Sequence, residues 1–308
     1  MAITASQVKE LRDLTGVGMM DCKKALMEND ANIEAAVDWL RTRGLAKAAK
    51  RSSKAASEGL IGVASNGASA SVVEVNSETD FVALNSQFQD IVSTVAKLAL
   101  DVEDNVEALN NTTYPNSDHS VADEIVEAVA KIGENMSLRR SAKLSVTNGV
   151  VSSYIHNPVT DGLGKLGVLV ALESSGDKKA LDALGRQIAM HIAAIAPLAV
   201  SSDELDADVV SREREVFKQQ AIESGKPEEI AIKMVDGRMR KFYEEVCLLS
   251  QTFVIDGESK VSEAIEKAQK DVGAPIKLTA FTRLALGEGI EKEESDFAAE
   301  VAATAGTK

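Results

Sequence analysis

Few residues in this chain have types and spacings that could do chemistry, and each set can be tested against what its chemistry requires. Gly162-Leu163-Gly164-Lys165-Leu166-Gly167 fits GxGxxG letter for letter, but a dinucleotide loop must leave a strand and open a helix. Here the glycines precede the apolar run Val168–Leu172, which reads as a strand, so the segment is expected to be a hairpin loop. A phosphate-cradling GxxxxGK[ST] loop is absent, because Gly225-Lys226 runs into Pro227. The histidines His119, His156 and His191 stand apart from one another and from Cys22 and Cys247, without the spacing of a zinc centre. No GxSxG elbow occurs, and neither cysteine has neighbours that would activate a thiol. No catalytic residue, metal or cofactor is expected, and the chain does not read as an enzyme.

One stretch remains, Glu74-Val75-Asn76-Ser77-Glu78-Thr79-Asp80-Phe81-Val82-Ala83-Leu84-Asn85. Val73 and Val75 alternate with polar neighbours as in a half-buried strand, and a helical pattern resumes near Asn85. Thr79-Asp80-Phe81-Val82 therefore occupies a strand-to-helix turn. Thr and Asp suit that place because their side-chain oxygens satisfy free backbone N–H groups. The aromatic directly after them has two readings. Phe81 plugs the core beneath the turn, as most phenylalanines do, or the turn holds Phe81 outward with Asp80 beside it, as a rigid wedge for a partner. Composition leaves both open.

The bulk numbers bound the partner. With 308 residues the chain can hold two or three domains with real cores. Apolar content of 44% and charged content of 27% are those of an ordinary folded protein. A net charge of −14 argues against nucleic acid, whose phosphates demand an excess of Lys and Arg. Aromatic content of 4% leaves little for base stacking. The isolated cysteines read as free thiols in a reducing compartment, and no signal segment or membrane-length apolar run is present. A cytoplasmic location is expected, with no membrane contact.

The elements that would position the turn follow from hydrophobic periodicity, and the fold class is α+β. Residues 1–54 read as a three-helix module and linker. Thr4 and Gln7 form a capping box, Val8, Leu11 and Leu14 share a face, then come Cys22, Ala25 and Leu26, then Ile33, Ala36, Val37 and Leu40 with Gly44 behind. The tight Gly16-Val17-Gly18 turn before Met19-Met20 resembles a ubiquitin-associated-type fold, and Trp39 is expected in its core. Arg41, Arg43, Lys47, Lys50, Arg51 and Lys54 form a basic run that reads as a solvated helix end.

Beyond it lies an internal repeat. Gly59–Ala64, the hairpin signal Asn66-Gly67, a strand around Val72–Val75 and the helical stripe Phe88, Ile91, Val92, Val95 and Leu98 make a first half, 55–147. A helix over 120–136 and the strand Arg139–Val146 close it, with the polar, Asn-rich 101–118 as a surface connection. The same order recurs in a second half, 148–202 plus 250–288, with Phe253-Val254-Ile255 read as a strand and Ile276–Leu286 as the last one. Each half is a small antiparallel sheet with helices on one side. Residues 203–249 read as an inserted helical coiled-coil hairpin, striped by Val209, Val216 and Phe217 on one arm and Ile230, Met234, Phe242 and Val246 on the other. Residues 289–308 read as a C-terminal helical module carrying Phe297 and Val301.

The segments LRDLTGVGMMDCKKAL, EVNSETDFVALN, KIGEN, IAMHIAA, SGKPEEIAIKMVDGRMRKF and GEGIEKEESDFAAEVAA, in this order along almost the whole chain, resemble the bacterial elongation factor Ts family. That family exchanges guanine nucleotide on elongation factor Tu. The resemblance implies a partner, elongation factor Tu in its GDP-bound or nucleotide-free form. It also implies that Thr79, Asp80, Phe81 and Val82 are the intruding element, Phe81 inserting into the nucleotide-binding domain and Asp80 disturbing the region that holds Mg2+. Further contacts implied on the same basis are Lys23, Ile132, Gly133, His156, Val254, Ile255 and Phe297. Core packing is the competing role for the aliphatic residues, and a loop hydrogen bond for His156. The chain departs from familiar members in 101–118 and in the longer loop 157–165. The arm is expected either to pair with a second copy, giving a homodimer, or to brace the partner. A non-catalytic adaptor or chaperone, joining proteins through the helical module and the arm, is the alternative, and it would tolerate loss of Phe81.

Overall fold

The computed structural model describes residues 3–290 apart from Gly16, Ser224 and Lys226. The chain opens with α1 (Ala5–Thr15), α2 (Met19–Glu28) and α3 (Ile33–Arg51). Thr4 and Gln7 cap α1 reciprocally: Gln7 Oε1 accepts from the Thr4 N–H, and Thr4 Oγ1 accepts from the Gln7 N–H. Val8, Leu11, Cys22, Ala25, Leu26, Ala36 and Leu40 form the module's own core. Leu14, expected on that face, is 65% exposed, and Trp39 is half-buried with the Arg43 guanidinium 4.7 Å over its ring.

The first half contains β1 (Glu58–Ser65), β2 (Ser69–Ser77), a 3-10 turn over Asp80–Leu84, α4 (Ser86–Leu98), the short α5 (Val106–Asn110), α6 (Val121–Ile132) and β3 (Met136–Ser145). The Asn66-Gly67 turn joins β1 to β2, Asn66 Oδ1 accepting from the Ser69 N–H. The second half contains β4 (Gly149–His156), the two-residue β5 (Leu163–Gly164), β6 (Leu166–Glu173), α7 (Lys178–Ile195), the arm helices α8 (Ala207–Glu223) and α9 (Glu228–Val246), then α10 (Val261–Val272) and β7 (Lys277–Ala285). Both sheets are antiparallel, ordered β3-β2-β1-β5 and β4-β6-β7. The repeat is therefore topological: β1, β2 and β3 correspond to β4, β6 and β7. Even the register shift recurs, at Glu74/Val75 against β3 and at Ala171/Leu172 against β7. The glycine-rich segment is the predicted hairpin loop between β4 and β6, and its middle strand β5 reaches across to pair with β1.

The sheets pack face to face through Ile61, Val72, Val151, Leu169, Ala171 and Leu284. On their outer faces α4 and α6 cover a core built on Val73, Val75, Phe88 and Val95, while α7 and α10 cover one built on Val168, Val170, Ile188 and Ile192. The result is helix, sheet, sheet, helix, an α+β architecture.

Tertiary packing changes four local readings. Helix α3 does not stop at Gly44 but continues to Arg51, so the basic run apart from Lys54 lies on its last turns. Gly44 is where α3 crosses α6: a Cβ there would lie 2.7 Å from the Ala130 Cβ. Packing of α3 on α6, with Ala48 in the first half's core, outweighs the roughly 1 kcal/mol propensity cost of a helical glycine. Val254-Ile255 is a turn, not a strand. Gly257 takes φ 71° and donates to the Phe253 carbonyl, while the Asp256 carboxylate accepts from the Glu258 and Ser259 N–H groups and closes the loop. In the arm the seam runs through Val210, Phe217, Ala221, Val235, Met239, Phe242 and Tyr243, leaving Val216 and Ile230 of the predicted stripe exposed. The 101–118 connection contributes α5, whose Leu109 is buried in the first half's core. The predicted C-terminal helix and Phe297 lie outside the described residues.

Candidate partner-binding surface

The turn after β2 resolves the two readings of Phe81. Its backbone winds into a single 3-10 segment, Asp80–Leu84, whose middle residues Val82 and Ala83 are each 4% exposed and belong to the first half's core. With those two anchored inward, the short pitch turns their neighbours outward: Phe81 is 76% exposed and Leu84 72%. Asp80 is exposed beside them. An aromatic ring held this far into water by a buried base points outward and does not plug the core.

The turn is fixed from several sides. Glu134 accepts from both the Thr79 N–H (2.9 Å) and the Thr79 hydroxyl (2.7 Å). Glu78 accepts from the Asn135 N–H at 2.6 Å and from the Arg51 guanidinium at 3.0 Å. Asn135 Nδ2 donates in turn to the Lys54 carbonyl at 2.7 Å. The Ser77 hydroxyl donates to the Thr79 carbonyl, Gln89 Nε2 donates to the Ala83 carbonyl, and Asn85 caps α4 by accepting from the Phe88 N–H. Gly133 makes this possible. It ends α6 in the left-handed region at φ 89°, which swings Glu134 and Asn135 back toward the turn. The end of α3, the linker after it, the end of α6 and the Thr79–Val82 turn are thus one hydrogen-bonded unit.

The other residues marked on the sequence sit on separate elements. Gly133 is exposed and Ile132 half-buried against the first half's core, so both lie beside the clamp. Lys23 is exposed on α2, on the same short helix as exposed Met19 and Met20. His156, at the end of β4, is exposed with Nδ1 3.0 Å from the Tyr154 hydroxyl, a contact along the strand and not the loop hydrogen bond expected from the sequence. Val254 and Ile255 stand 41% and 42% exposed. Sequence reasoning missed Glu134 and Glu78 as the holders of the turn, since nothing local pairs residues more than fifty positions apart. It also missed Leu84 as the second outward apolar residue.

The arrangement offers little to covalent chemistry. Burial raises the thiol pKa of both Cys22 and Cys247, the direction opposite to activation. One cluster, His119, Glu124 and Glu127, brings its donor atoms within 4.8 Å of one another. His119 Nε2 is already 2.8 Å from Glu124, and Lys131 lies 3.7 Å from Glu127, so both carboxylates already have side-chain partners. His119 precedes a capping box in which Ser120 and Asp123 start α6.

A profile of the elongation factor TS family matches residues 78–288, from the clamp to the segment just past β7. The elongation factor Ts of Rhizobium etli (strain CIAT 652) is 63% identical over 301 residues, 98% of each chain. The chain belongs to the elongation factor Ts family. Relatives of the same name from Sinorhizobium medicae (strain WSM419) and Bartonella henselae (strain Houston 1) are 61% and 60% identical over 305 residues, 99% of each chain. Family membership makes it a translation elongation factor of the exchange-factor class. Among the described residues no helix is long and apolar enough to cross a membrane.

Proposed function

We propose that the chain binds elongation factor Tu·GDP in the cytoplasm and promotes GDP release by pressing the Thr79-Asp80-Phe81-Val82 turn into the nucleotide-binding domain of its partner. The observation that carries this is the 76% exposure of Phe81 on a turn whose base is buried and whose flanks are clamped. A rigid wedge keeps its shape when pressed against a partner, so binding energy goes into deforming the partner. Phe81 supplies the apolar body, and Asp80 brings a negative charge toward the region that holds Mg2+. GDP depends on that ion and on backbone donors around its phosphates. A nanomolar nucleotide is held by about 12 kcal/mol, and each ~1.4 kcal/mol removed speeds release about tenfold. The coupling is reciprocal, so GDP weakens the hold of the factor by the same ratio, and the factor accelerates exchange without choosing the nucleotide. No covalent step is needed, so the action is non-enzymatic. Supporting contacts on this reading are Lys23 on the helical module, Ile132-Gly133 beside the clamp, and His156 and Val254-Ile255 on the second half.

Stopped-flow release of fluorescent GDP from elongation factor Tu tests this with wild type and Phe81→Ala side by side. Wild type accelerates release, and the folded variant loses most of that effect while still forming the complex. Equal acceleration by both proteins would remove the wedge from the mechanism.

A further inference from the structure

His191 is fully buried on α7, and neither contact surface of the proposed exchange reaction uses it. Both of its ring nitrogens are committed. Nδ1 accepts from the Val254 N–H at 3.3 Å, and Nε2 lies 2.8 Å from Gln251 Oε1. The Gln251 amide is oriented by its other end, because its Nε2 donates to the Glu245 carbonyl at 2.6 Å. Its oxygen must therefore face the histidine, which assigns the ring proton to Nε2 and a lone pair to Nδ1. Burial lowers the pKa of the imidazole, which keeps Nδ1 free to accept. The Phe253 ring, buried in the second half's core, lies 5.8 Å from the imidazole.

This geometry ties three elements to one side chain: α7, the end of α9 through Gln251, and the turn carrying Val254 and Ile255. The turn closes on itself through Asp256, Gly257 and Ser259, so its internal shape does not require His191. What His191 supplies is the attachment of the first turn residue to the rigid helix beneath. We infer that His191 is a positioning residue which sets the height and orientation of the exposed Val254–Ile255 turn as a second partner-contact surface. The inference rests on the proposed function, in which that turn touches the partner GTPase.

The two ideas separate experimentally in the full-length chain. Hydrogen exchange of the Val254 amide, read by NMR, requires no partner. The amide is protected in wild type, loses protection in His191→Leu, and keeps it in His191→Asn, whose amide oxygen replaces the Nδ1 acceptor. Affinity for nucleotide-free elongation factor Tu is then measured for the same proteins and for Val254→Ala/Ile255→Ala. His191→Leu weakens binding about tenfold, the scale of one lost buried acceptor, and His191→Asn restores most of it. Combining His191→Leu with the turn variant adds little, because both act through one surface. Unchanged binding by the turn variant alone would sink the turn as a contact. A turn variant that weakens binding while His191→Leu leaves it intact, adds fully to it, or leaves Val254 protected, would overturn the role of His191. If His191→Leu does not fold, His191→Phe takes its place as the variant without an acceptor, and intact Val254 protection or intact affinity there would do the same.

Discussion

Thr79 gives both its backbone N–H and its hydroxyl to the carboxylate of Glu134, at 2.9 and 2.7 Å, across a sequence separation of 55 residues. That pair fastens the outward turn to the end of α6. Replacing Glu134 with Ala removes an ionised acceptor and leaves the two Thr79 donors to water, a loss on the order of 1–3 kcal/mol. The cost falls on the turn and not on the core. The expected outcome is a modest drop in melting temperature with a large drop in GDP-release acceleration. Equal activity of Glu134→Ala and wild type would mean that the turn needs no external clamp.

Leu84 shares the outward face of the turn with Phe81 and is 72% exposed. Leu84→Ala removes little buried surface, so thermal stability should stay within about 0.5 kcal/mol of wild type. Affinity for the partner should fall several-fold if the ring and the leucine form one apolar contact. Titration calorimetry with both variants, run beside circular dichroism melts, reads the two quantities separately.

At the α3–α6 crossing the missing side chain of Gly44 lets the backbones approach. Gly44→Val would drive methyl groups into Ala130 and cost about 1–3 kcal/mol by overpacking. The clamp should suffer too, because Arg51 lies two turns further along the same helix and binds Glu78. Lower stability together with weaker exchange is the expected result. Gly44→Ala, with a smaller intrusion, should fall between that variant and wild type.

Glu74 is fully buried on β2, and burial by itself raises its pKa. Hydrogen bonds from the Gly287 N–H, Arg140 and Asn76 outweigh that and hold the carboxyl below the usual value of 4.5. Arg139 also reaches it, at 3.1 Å. With the folded pKa depressed, the stabilisation is present above the unfolded pKa and is lost as pH falls below about 4.5 toward the depressed value. Denaturation midpoints between pH 6 and pH 3 should therefore fall more steeply for wild type than for Glu74→Gln. At pH 6 the Gln variant should be the less stable protein, since the arginines lose their counter-charge.

Much of this was legible along the chain because the signals are local. The period-2 and period-3.6 patterns, the Asn66-Gly67 turn and the order repeated in two halves determined the α+β class and the hairpin nature of the glycine-rich loop. The residue types Thr79-Asp80 marked the strand-to-helix junction, although Thr79 makes no capping hydrogen bond there and gives its hydroxyl to Glu134 instead, and the ordered segments gave the family. Tertiary structure alone decided the rest. Whether Phe81 points inward or outward depends on which of its neighbours the core accepts, and the core took Val82 and Ala83. The continuation of α3 past Gly44 depended on α6 lying against it, and the Val254–Ile255 turn on the loop that Asp256 and Gly257 close above buried His191. The clamp on Thr79 and Glu78 comes from Glu134 and Asn135, more than fifty positions away and brought there by the left-handed end of α6 at Gly133, and from Arg51 at the end of α3. Local propensity is written in neighbouring residues, but the direction of a side chain is settled by whatever distant segment packs beneath it.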